Sequence, residues 1–392
     1  MPIAVGIDIA KEVHWVTAID ETGEPVLDRR LANMPAEIAA LIDELTALPG
    51  PVTIGLDVIG GIAGLAEAML AEAGFSLVHV PGLAVNRARQ GTTGGEAKSD
   101  PRDARVIADQ VRTRRDLRSI ERADELDIEL RLLVGRRRDL VEEQTRRVAR
   151  LHDLLAGIFP SLERALDLTT KSGLWLLSTY ATPAELRAAG RSRLIKHLKR
   201  AGGLPKLDAL ADAAIAAAEE QQIAVPGERM TAALIKELAG EALATRNRLS
   251  RLDHDLEALL QRHPDAALIR SLPGMGAVLT AELIAEAGAL TRFKSPDALA
   301  AAAGLAPVLR QSGKVRFLRR PTGGNKTLKR VFYQSAFCSL HTADSRTFYN
   351  RKRKEGKRHH QALIALARRR INVLWAMLQN RQPFQQNFKL AA

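Results

Sequence analysis

The sequence predicts an α/β N-terminal domain, then helical coiled-coil arms, then a mainly α C-terminal domain. Three observations carry that expectation. Short apolar runs separated by turns fill residues 3–80, two long stretches of helical spacing lie at 124–156 and 226–262, and residues 301–392 mix helical spacing with heavy positive charge. With 392 residues, and about 150 residues per domain, two to three domains are expected. Their boundaries are read as 1–120, 121–262 and 263–392.

Residues 3–8 (Ile-Ala-Val-Gly-Ile-Asp) read as a short buried strand ending on an acid. A partly alternating strand follows near 12–20, and the Gly23-Glu24-Pro25 turn leads to a third near 26–31. Ile38, Leu41, Ile42 and Leu45 give 36–47 helical spacing. Residues 52–57 (Val-Thr-Ile-Gly-Leu-Asp) form another strand that ends on an acid. Gly60-Gly61 then opens a helix at 62–73, and 76–80 is again a strand. Three strands followed by strand–helix alternation imply a mixed sheet covered by helices, a pattern that fits a ribonuclease-H-like fold.

Strand signals stop beyond about residue 101. Leu126, Leu130, Leu133, Val134, Leu140, Val141, Val148, Leu151 and Leu155 mark one long amphipathic stretch, and Leu234, Leu238, Leu249, Leu252, Leu256, Leu259 and Leu260 mark a second. They bracket shorter Ala-rich helices at 160–220, so antiparallel coiled-coil arms or a helical bundle follow. The third region opens near His263-Pro264. Leu272-Pro273-Gly274-Met275-Gly276 has the form of a helix-hairpin-helix turn, in which the backbone around Gly274 and Gly276 can meet a phosphate at a helix N-terminus. A plain connection between two helices has the same spelling. Helices are expected at 296–303, 327–341 and 359–379, with a basic stretch at 311–320 between the first two.

The charge narrows the function classes. The chain carries 58 Lys and Arg against 45 Asp and Glu, a net +13, but residues 301–392 alone carry +18 and the rest −5. A segment so basic points to a polyanion partner, or else to a solvated basic face. Only 4% of residues are aromatic, which argues for phosphate contacts over base stacking. The single cysteine, Cys338, excludes a disulfide framework and thiolate-built metal centres. Without an 18-residue apolar run or a leader-like N-terminus, the chain reads as a soluble cytoplasmic protein with no membrane partner.

Four acids stand out. Asp8 and Asp57 each close a buried strand, where an unpaired charge is costly and a metal ion removes the cost. Asp100-Pro101-Arg102-Asp103 opens a helix, and the i, i+3 spacing puts Asp100 and Asp103 on one face. That pair also reads as an N-cap with a first-turn acid, and Asp8 as an ion-pair partner for Lys11. Taken together, the four carboxylates suit Mg²⁺, with Mn²⁺ as the alternative, in phosphodiester chemistry.

Ser312, in Arg310-Gln311-Ser312-Gly313-Lys314, reads by itself as a loop residue or a phosphate-binding hydroxyl. Gly323-Gly324-Asn325-Lys326-Thr327 fails as a P-loop because Asn325 separates glycine from lysine. It reads as a helix N-terminus meeting a nucleic-acid phosphate, aided by Lys326, Lys329 and Arg330. Lys314, Arg316, Arg319, Arg320 and Asn325 join the nucleic-acid candidates, as does the basic run at 351–360.

These motifs in order, Gly6-Ile7-Asp8-Ile9-Ala10-Lys11, Lys98-Ser99-Asp100-Pro101-Arg102-Asp103-Ala104, Leu272-Pro273-Gly274-Met275-Gly276, Gly304-Leu305-Ala306-Pro307, Gln311-Ser312-Gly313 and Gly324-Asn325, resemble those of the insertion-sequence one-ten family. These are the DEDD-type transposases, related to pilin-gene invertases and described as bridge-RNA-guided recombinases. The resemblance covers nearly the whole chain. It implies a Holliday-junction-resolvase-like first domain whose Asp8, Asp57, Asp100 and Asp103 hold Mg²⁺. It further implies a C-terminal transposase domain whose Ser312 attacks DNA to form a phosphoserine. A noncoding guide RNA that selects donor and target DNA is implied as well, as is a homo-oligomer (dimer or tetramer) in which the serine of one subunit meets the acids of another. The family's second acid is normally glutamate, whereas this chain has Asp57-Val58-Ile59-Gly60. Two other functions suit the residues: a metal-dependent hydrolytic nuclease in which Ser312 only binds phosphate, and a non-catalytic nucleic-acid-binding protein.

Overall fold

In the computed structural model, which describes residues 1–91, 96–120, 124–203, 206–288, 290 and 293–385, the first three apolar runs become β1 (Ile3–Asp8), β2 (Val13–Ile19) and β3 (Pro25–Ala32). They are followed by α1 (Pro35–Thr46), β4 (Val52–Leu56), a 3₁₀ turn at Gly61–Ala63, α2 (Gly64–Glu72), β5 (Ser76–His79), α3 (Gly82–Gln90), α4 (Asp100–Thr113) and β6 (Arg118–Ser119). The sheet order is β3-β2-β1-β4-β5-β6. β1 pairs parallel with β4, and β4 with β5, while the other ladders are antiparallel.

Alternation along β1 decides what lies on each face. Val5 and Ile7 are fully buried in a core that includes Ile38, Leu41 and Leu45 of α1. Ala4 and Gly6 point the other way, beneath α4. That helix presents Ala104, Ile107, Ala108 and Val111 at i, i+3, i+4 and i+7, the spacing of a single buried stripe. Gly6 and Gly55 sit side by side in the β1–β4 register. A Cβ on Gly6 would stand 2.1 Å from the Ala104 carbonyl oxygen, and one on Gly55 2.5 Å from a Val111 methyl. The glycine pair is therefore the seat on which α4 rests.

The chain divides into two compact units, Met1–Ala123 and Asp124–Ala392. The second contains α5 (Glu125–Ile158), α6 (Pro160–Ala165), α7 (Lys171–Leu177), α8 (Pro183–Arg200, broken at Gly190), α9 (Leu207–Glu220) and α10 (Glu228–Arg262). After these come α11 (Ala266–Ser271), α12 (Ala277–Ala287), α13 (Pro296–Ala302), β7 (Val308–Ser312), β8 (Val315–Arg319), α14 (Lys326–Cys338), a 3₁₀ turn at Ser339–His341, α15 (Ala343–Lys354) and α16 (His359–Asn380). Ion pairs Arg137–Asp253 (2.6 Å), Arg147–Glu241 (2.9 Å) and Arg262–Glu129 (3.7 Å) run in opposite order along α5 and α10, so those helices lie antiparallel. At one end Leu126, Leu130, Leu256 and Leu260 join the core built by α11–α16; at the other Leu151, Leu155, Ile235 and Ala239 join the core of α6–α9.

The C-terminal region is mainly helical, as expected, but one expectation needs correction: strands do not stop at residue 101. β6 adds two residues to the sheet edge, and β7–β8 form a hairpin whose ten residues are all exposed. With neither face buried, the hairpin carries none of the apolar-in, polar-out alternation by which a strand is read from sequence. The helix expected at 62–73 begins instead with the 3₁₀ turn, and the one at 327–341 ends in another. Among the described residues, no helix is long and apolar enough to cross a membrane.

Candidate acidic site and serine hairpin

Parallel pairing of β1 with β4 brings their C-terminal ends together, with Ile7 opposite Leu56. Asp8 and Asp57 follow directly. Asp8 is half-buried, and its carboxyl is pushed up to about 7, first by burial and then by the charges of Asp57, Asp103 and Asp100. Lys98 opposes that rise. Burial also raises Asp57, against a hydrogen bond in which Ile9 N–H donates to its Oδ1 at 3.1 Å. Docking α4 on the two glycines brings the other two aspartates into range of Asp8.

Asp100 is not the cap expected of it, although both it and Asp103 lie in the first turn of α4. The N-cap of α4 is Ser99, Asp100 is its exposed first residue, and Pro101 follows. Asp103 is buried, and both its oxygens accept from Arg89 Nη1 of α3, at 2.7 and 2.8 Å. No ion pair joins Asp8 to Lys11 among the described residues, nor do three His, Cys, Asp or Glu side chains there converge as a ready-made metal centre. The cluster thus crowds negative charge but holds one of its members on a guanidinium. Arg89 belongs to a helix the sequence reading did not include. Its only signal was the basic run Arg87-Ala88-Arg89.

Two further polar residues hold the loops behind these acids. Asn33 Nδ2 donates to Lys11 O and to Ile62 O, each at 3.3 Å, tying the loop after Asp8 to the one after Asp57. Ala10 N–H donates to Nδ1 of fully buried His14 at 3.1 Å, which leaves the neutral ring's proton on Nε2. Burial holds the His14 pKa below its ordinary value. Glu67 Oε2 accepts from Gly60 N–H at 2.9 Å and fixes the glycine turn after Asp57.

In the second unit, Ser312 ends β7. Its partner across the ladder is Val315, so Gly313 and Lys314 form a two-residue turn. Gly313 has φ 54° and Lys314 does not have positive φ, the pattern of a type II′ hairpin turn. The register places Val308, Arg310 and Ser312 on one face with Val315, Phe317 and Arg319, and puts Leu309, Gln311, Arg316 and Leu318 on the other. Arg310, absent from the residues singled out by sequence, therefore shares Ser312's face, while Arg316 lies behind it. The base of this arm is pinned. Gly304 (φ 60°) and Gly324 (φ 97°) meet backbone to backbone, and a Cβ on Gly324 would stand 2.5 Å from Gly304 N. Asn325 N–H donates to Ala302 O at 2.7 Å.

Asn325 is the N-cap of α14. Its Oδ1 accepts from Leu328 N–H at 2.9 Å, and its Nδ2 donates to Glu286 at 2.8 Å. Lys326, Lys329 and Arg330 lie along one side of that helix. Arg330 is paired with buried Glu282 at 2.8 Å, whereas Lys326 is exposed, as are Lys314, Arg316, Arg319 and Arg320. Gly276 is the exposed N-cap residue of α12. Gly274 has a packing role, since a Cβ there would stand 2.5 Å from Ser335 O of α14. The run at 351–354 closes α15, where Arg351 and Lys352, with Arg369 of α16, surround the Phe348 ring at 5.0–5.7 Å.

Residues 5–160 match a family model described as transposase, and residues 266–350 match the transposase IS116/IS110/IS902 family. The chain is 41% identical to the insertion element IS900 42 kDa protein of Mycobacterium paratuberculosis, over 97% of this chain and 96% of that one. The chain belongs to the IS110 family of transposases. The IS116 44.8 kDa protein of Streptomyces clavuligerus is 42% identical over the same shares. A pilin gene-inverting protein of Moraxella bovis is 28% identical over 35% of this chain and 45% of its own length. The two matched regions hold the acidic cluster and the serine hairpin respectively. As an insertion-sequence transposase, the chain is a DNA-recombining enzyme.

Proposed function

We propose that this transposase breaks and rejoins DNA through a covalent phosphoserine on Ser312, with a divalent ion held at the acidic cluster. The observation that carries this reading is the Asp8 carboxyl, pushed up to about 7 by burial and three neighbouring carboxylates. Such crowding in an oxygen-only donor set fits a hard cation, Mg²⁺ or Mn²⁺. Asp8, Asp57 and Asp100 would hold it, and Asp103 would join by exchanging Arg89 for the ion. When bound, the ion supplies neutralisation of charge developing on phosphate oxygens. Asp57 is one methylene shorter than the family's usual glutamate, and the Ile9 N–H bond fixes one of its oxygens, leaving the other for the ion.

Ser312 Oγ forms a bond to a DNA phosphorus as the P–O bond to the leaving deoxyribose oxygen breaks, and the serine proton ends on that oxygen. A DNA hydroxyl then attacks the phosphoserine, re-forming a phosphodiester and returning the proton to Oγ. The phosphate ester count is unchanged, so no external energy source is required. Arg310 and Arg319, on the Ser312 face, bind the phosphate and offset its charge.

The wider reading has a ribonuclease-H-like domain at 1–120, coiled-coil arms at 121–262, and a transposase domain at 263–392. It works as a homo-oligomer on donor and target DNA chosen by an element-encoded guide RNA. The excess of positive charge in residues 301–392 supports nucleic-acid partners. The test is a covalent-adduct assay with labelled DNA, candidate RNA and Mg²⁺. Label retained on denatured wild type, and lost in Ser312→Ala and Asp8→Ala, is the expected result. Cleavage without retained label that persists in Ser312→Ala would establish a hydrolytic nuclease instead.

A further inference from the structure

A cavity of about 810 Å³ lies in the second unit, between the end of α11, the start of α15 and one side of α16. Its size is within the range of about 300–1,000 Å³ usual for small-ligand sites. The chain closes it by turning back after α16. Arg381 takes a left-handed φ of 51°, and its side chain pairs with Asp265. Gln382 N–H donates to Met377 O at 3.0 Å, and Phe384 N–H donates to Ser271 Oγ at 2.8 Å. Leu272, Pro273, Leu366, Val373, Met377 and Phe384 give the cavity apolar walls.

Among these walls the fold places a cation. Arg370 lines the cavity and is only 5% exposed. Its Nε and Nη2 donate to Ser335 Oγ at 3.1 and 2.7 Å, and Nη2 also donates to Pro273 O. Those acceptors are neutral. Among the described residues Nη1 has no hydrogen-bond partner, and no carboxylate pairs with the guanidinium. Burial lowers its pKa to about 10, so it stays charged at neutral pH. A buried charge without a counter-ion is costly, and an anion in the cavity removes that cost. Arg369 lines the same cavity, with its guanidinium 5.0 Å from the centre of the Phe348 ring. Asp344 is the one acid on the lining; it is exposed, and it is not among the groups acting on Arg370.

The rest of the lining identifies what the anion is attached to. Two neighbouring guanidiniums suit a phosphate, and the apolar walls suit a flat ring. The amides of Asn380, Gln382 and Gln385 each donate and accept, so they suit sugar hydroxyls and the edge of any base. A fatty acid would leave those amides unused.

We propose that this cavity binds one nucleotide unit, with its phosphate on Arg370 and Arg369 and its base against Val373, Met377 and Phe384. Because the amides accept any base edge, the site holds a nucleotide without selecting sequence. Its source is either a free nucleoside monophosphate or a nucleotide extruded from a strand. The inference stands or falls apart from the chemistry at Ser312.

The experiment uses the full chain without divalent ions, so that cleavage does not intervene. Calorimetry measures binding of deoxyadenosine monophosphate, deoxyadenosine and inorganic phosphate. Fluorescence follows 2-aminopurine placed as a single unpaired nucleotide in a DNA duplex, with the fully paired duplex as control. A monophosphate that binds at least tenfold more tightly than either fragment, with a silent duplex probe, assigns the cavity to free nucleotides. A several-fold rise in emission from the unpaired probe assigns it to a strand. Arg370→Gln should weaken either ligand about tenfold or more. Arg369→Gln changes an exposed side chain and should weaken either about threefold. Ala376→Trp fills the cavity while leaving both arginines and their bonds in place, and it should abolish binding. Affinity for the fully paired duplex should stay within twofold in all three, and circular dichroism checks that each folds. The inference falls if neither probe responds, or if a fragment binds as tightly as the monophosphate while the duplex probe stays silent. It falls equally if Arg369→Gln and Ala376→Trp both bind like wild type, or if the variants lose the paired duplex to the same degree.

Discussion

Gly6→Ala tests how the acidic cluster is assembled. The added methyl would stand 2.1 Å from Ala104 O, 2.4 Å from Ala108 N and 2.9 Å from Ile107 Cβ. The first two are backbone atoms of α4, so no side-chain rotation relieves the clash and the helix must withdraw by about 1 Å. Overpacking costs about 1–3 kcal/mol when side chains can adjust. Here the upper end applies, about 3 kcal/mol. For the unit Met1–Ala123 that lowers Tm by about 10 °C. Because α4 carries Asp100 and Asp103, its withdrawal also weakens divalent-ion binding. The assay is thermal unfolding by circular dichroism, with Mn²⁺ binding followed by electron paramagnetic resonance. Gly64→Ala is the control, since Gly64 has helical φ and ψ and a Cβ there meets nothing within 4 Å. It should be neutral, or stabilising by up to about 1 kcal/mol. A Gly6→Ala protein that melts within about 2 °C of wild type and binds Mn²⁺ equally would refute the argument that the glycine seat positions the acids.

The Asp8 carboxyl gives a pH dependence of defined sign. Its folded value of about 7 lies above the ordinary 3.8, so the folded chain keeps a proton the unfolded chain releases. The stability it contributes is full below about pH 4 and is lost as pH rises through 7. The shift corresponds to about 4 kcal/mol, reduced to about 1–2 kcal/mol by solvent screening of a half-exposed group. With chelator present, Tm should fall between about pH 4 and 7, Asp8→Asn should flatten that fall, and Mg²⁺ should reverse it. A flat wild-type profile would contradict the crowding of charge. At the hairpin base, Gly324→Ala places a Cβ 2.5 Å from Gly304 N at φ 97°, costing about 1–3 kcal/mol. Adduct yield should drop at least tenfold while Mn²⁺ binding by the acidic cluster is unchanged. Equal yield would show that the arm does not depend on its pinned base.

Much of the first unit was legible because its central strands, β1 and most of β4, are buried on both faces. Val5, Ile7, Ile54 and Leu56 leave continuous apolar runs, and each run ends on an acid that burial alone does not explain. The long helices were legible from their leucine spacing. Less visible were elements whose fold depends on neighbours or on turn chemistry. α3 has little apolar periodicity, yet it supplies the Arg89 that holds Asp103. The β7–β8 hairpin buries nothing, so its main signal is the Ser-Gly-Lys turn. Asp100 of α4 read equally as a cap until Ser99 proved to hold the cap position.

Sequence by itself determined the chemistry available: carboxylates at strand ends and a helix start, a serine beside glycine and cations, and a basic C-terminal segment. These follow from residue identity and spacing along one chain. Tertiary structure decided which of them meet. Parallel pairing of β1 with β4 sets Asp8 beside Asp57, two glycines let α4 approach until its carboxylates raise the Asp8 pKa, and strand register sorts Arg310 onto the face of Ser312 and Arg316 away from it. Proximity across the sheet and the face a side chain takes arise from close packing and ladder geometry, and neither is written in local spacing.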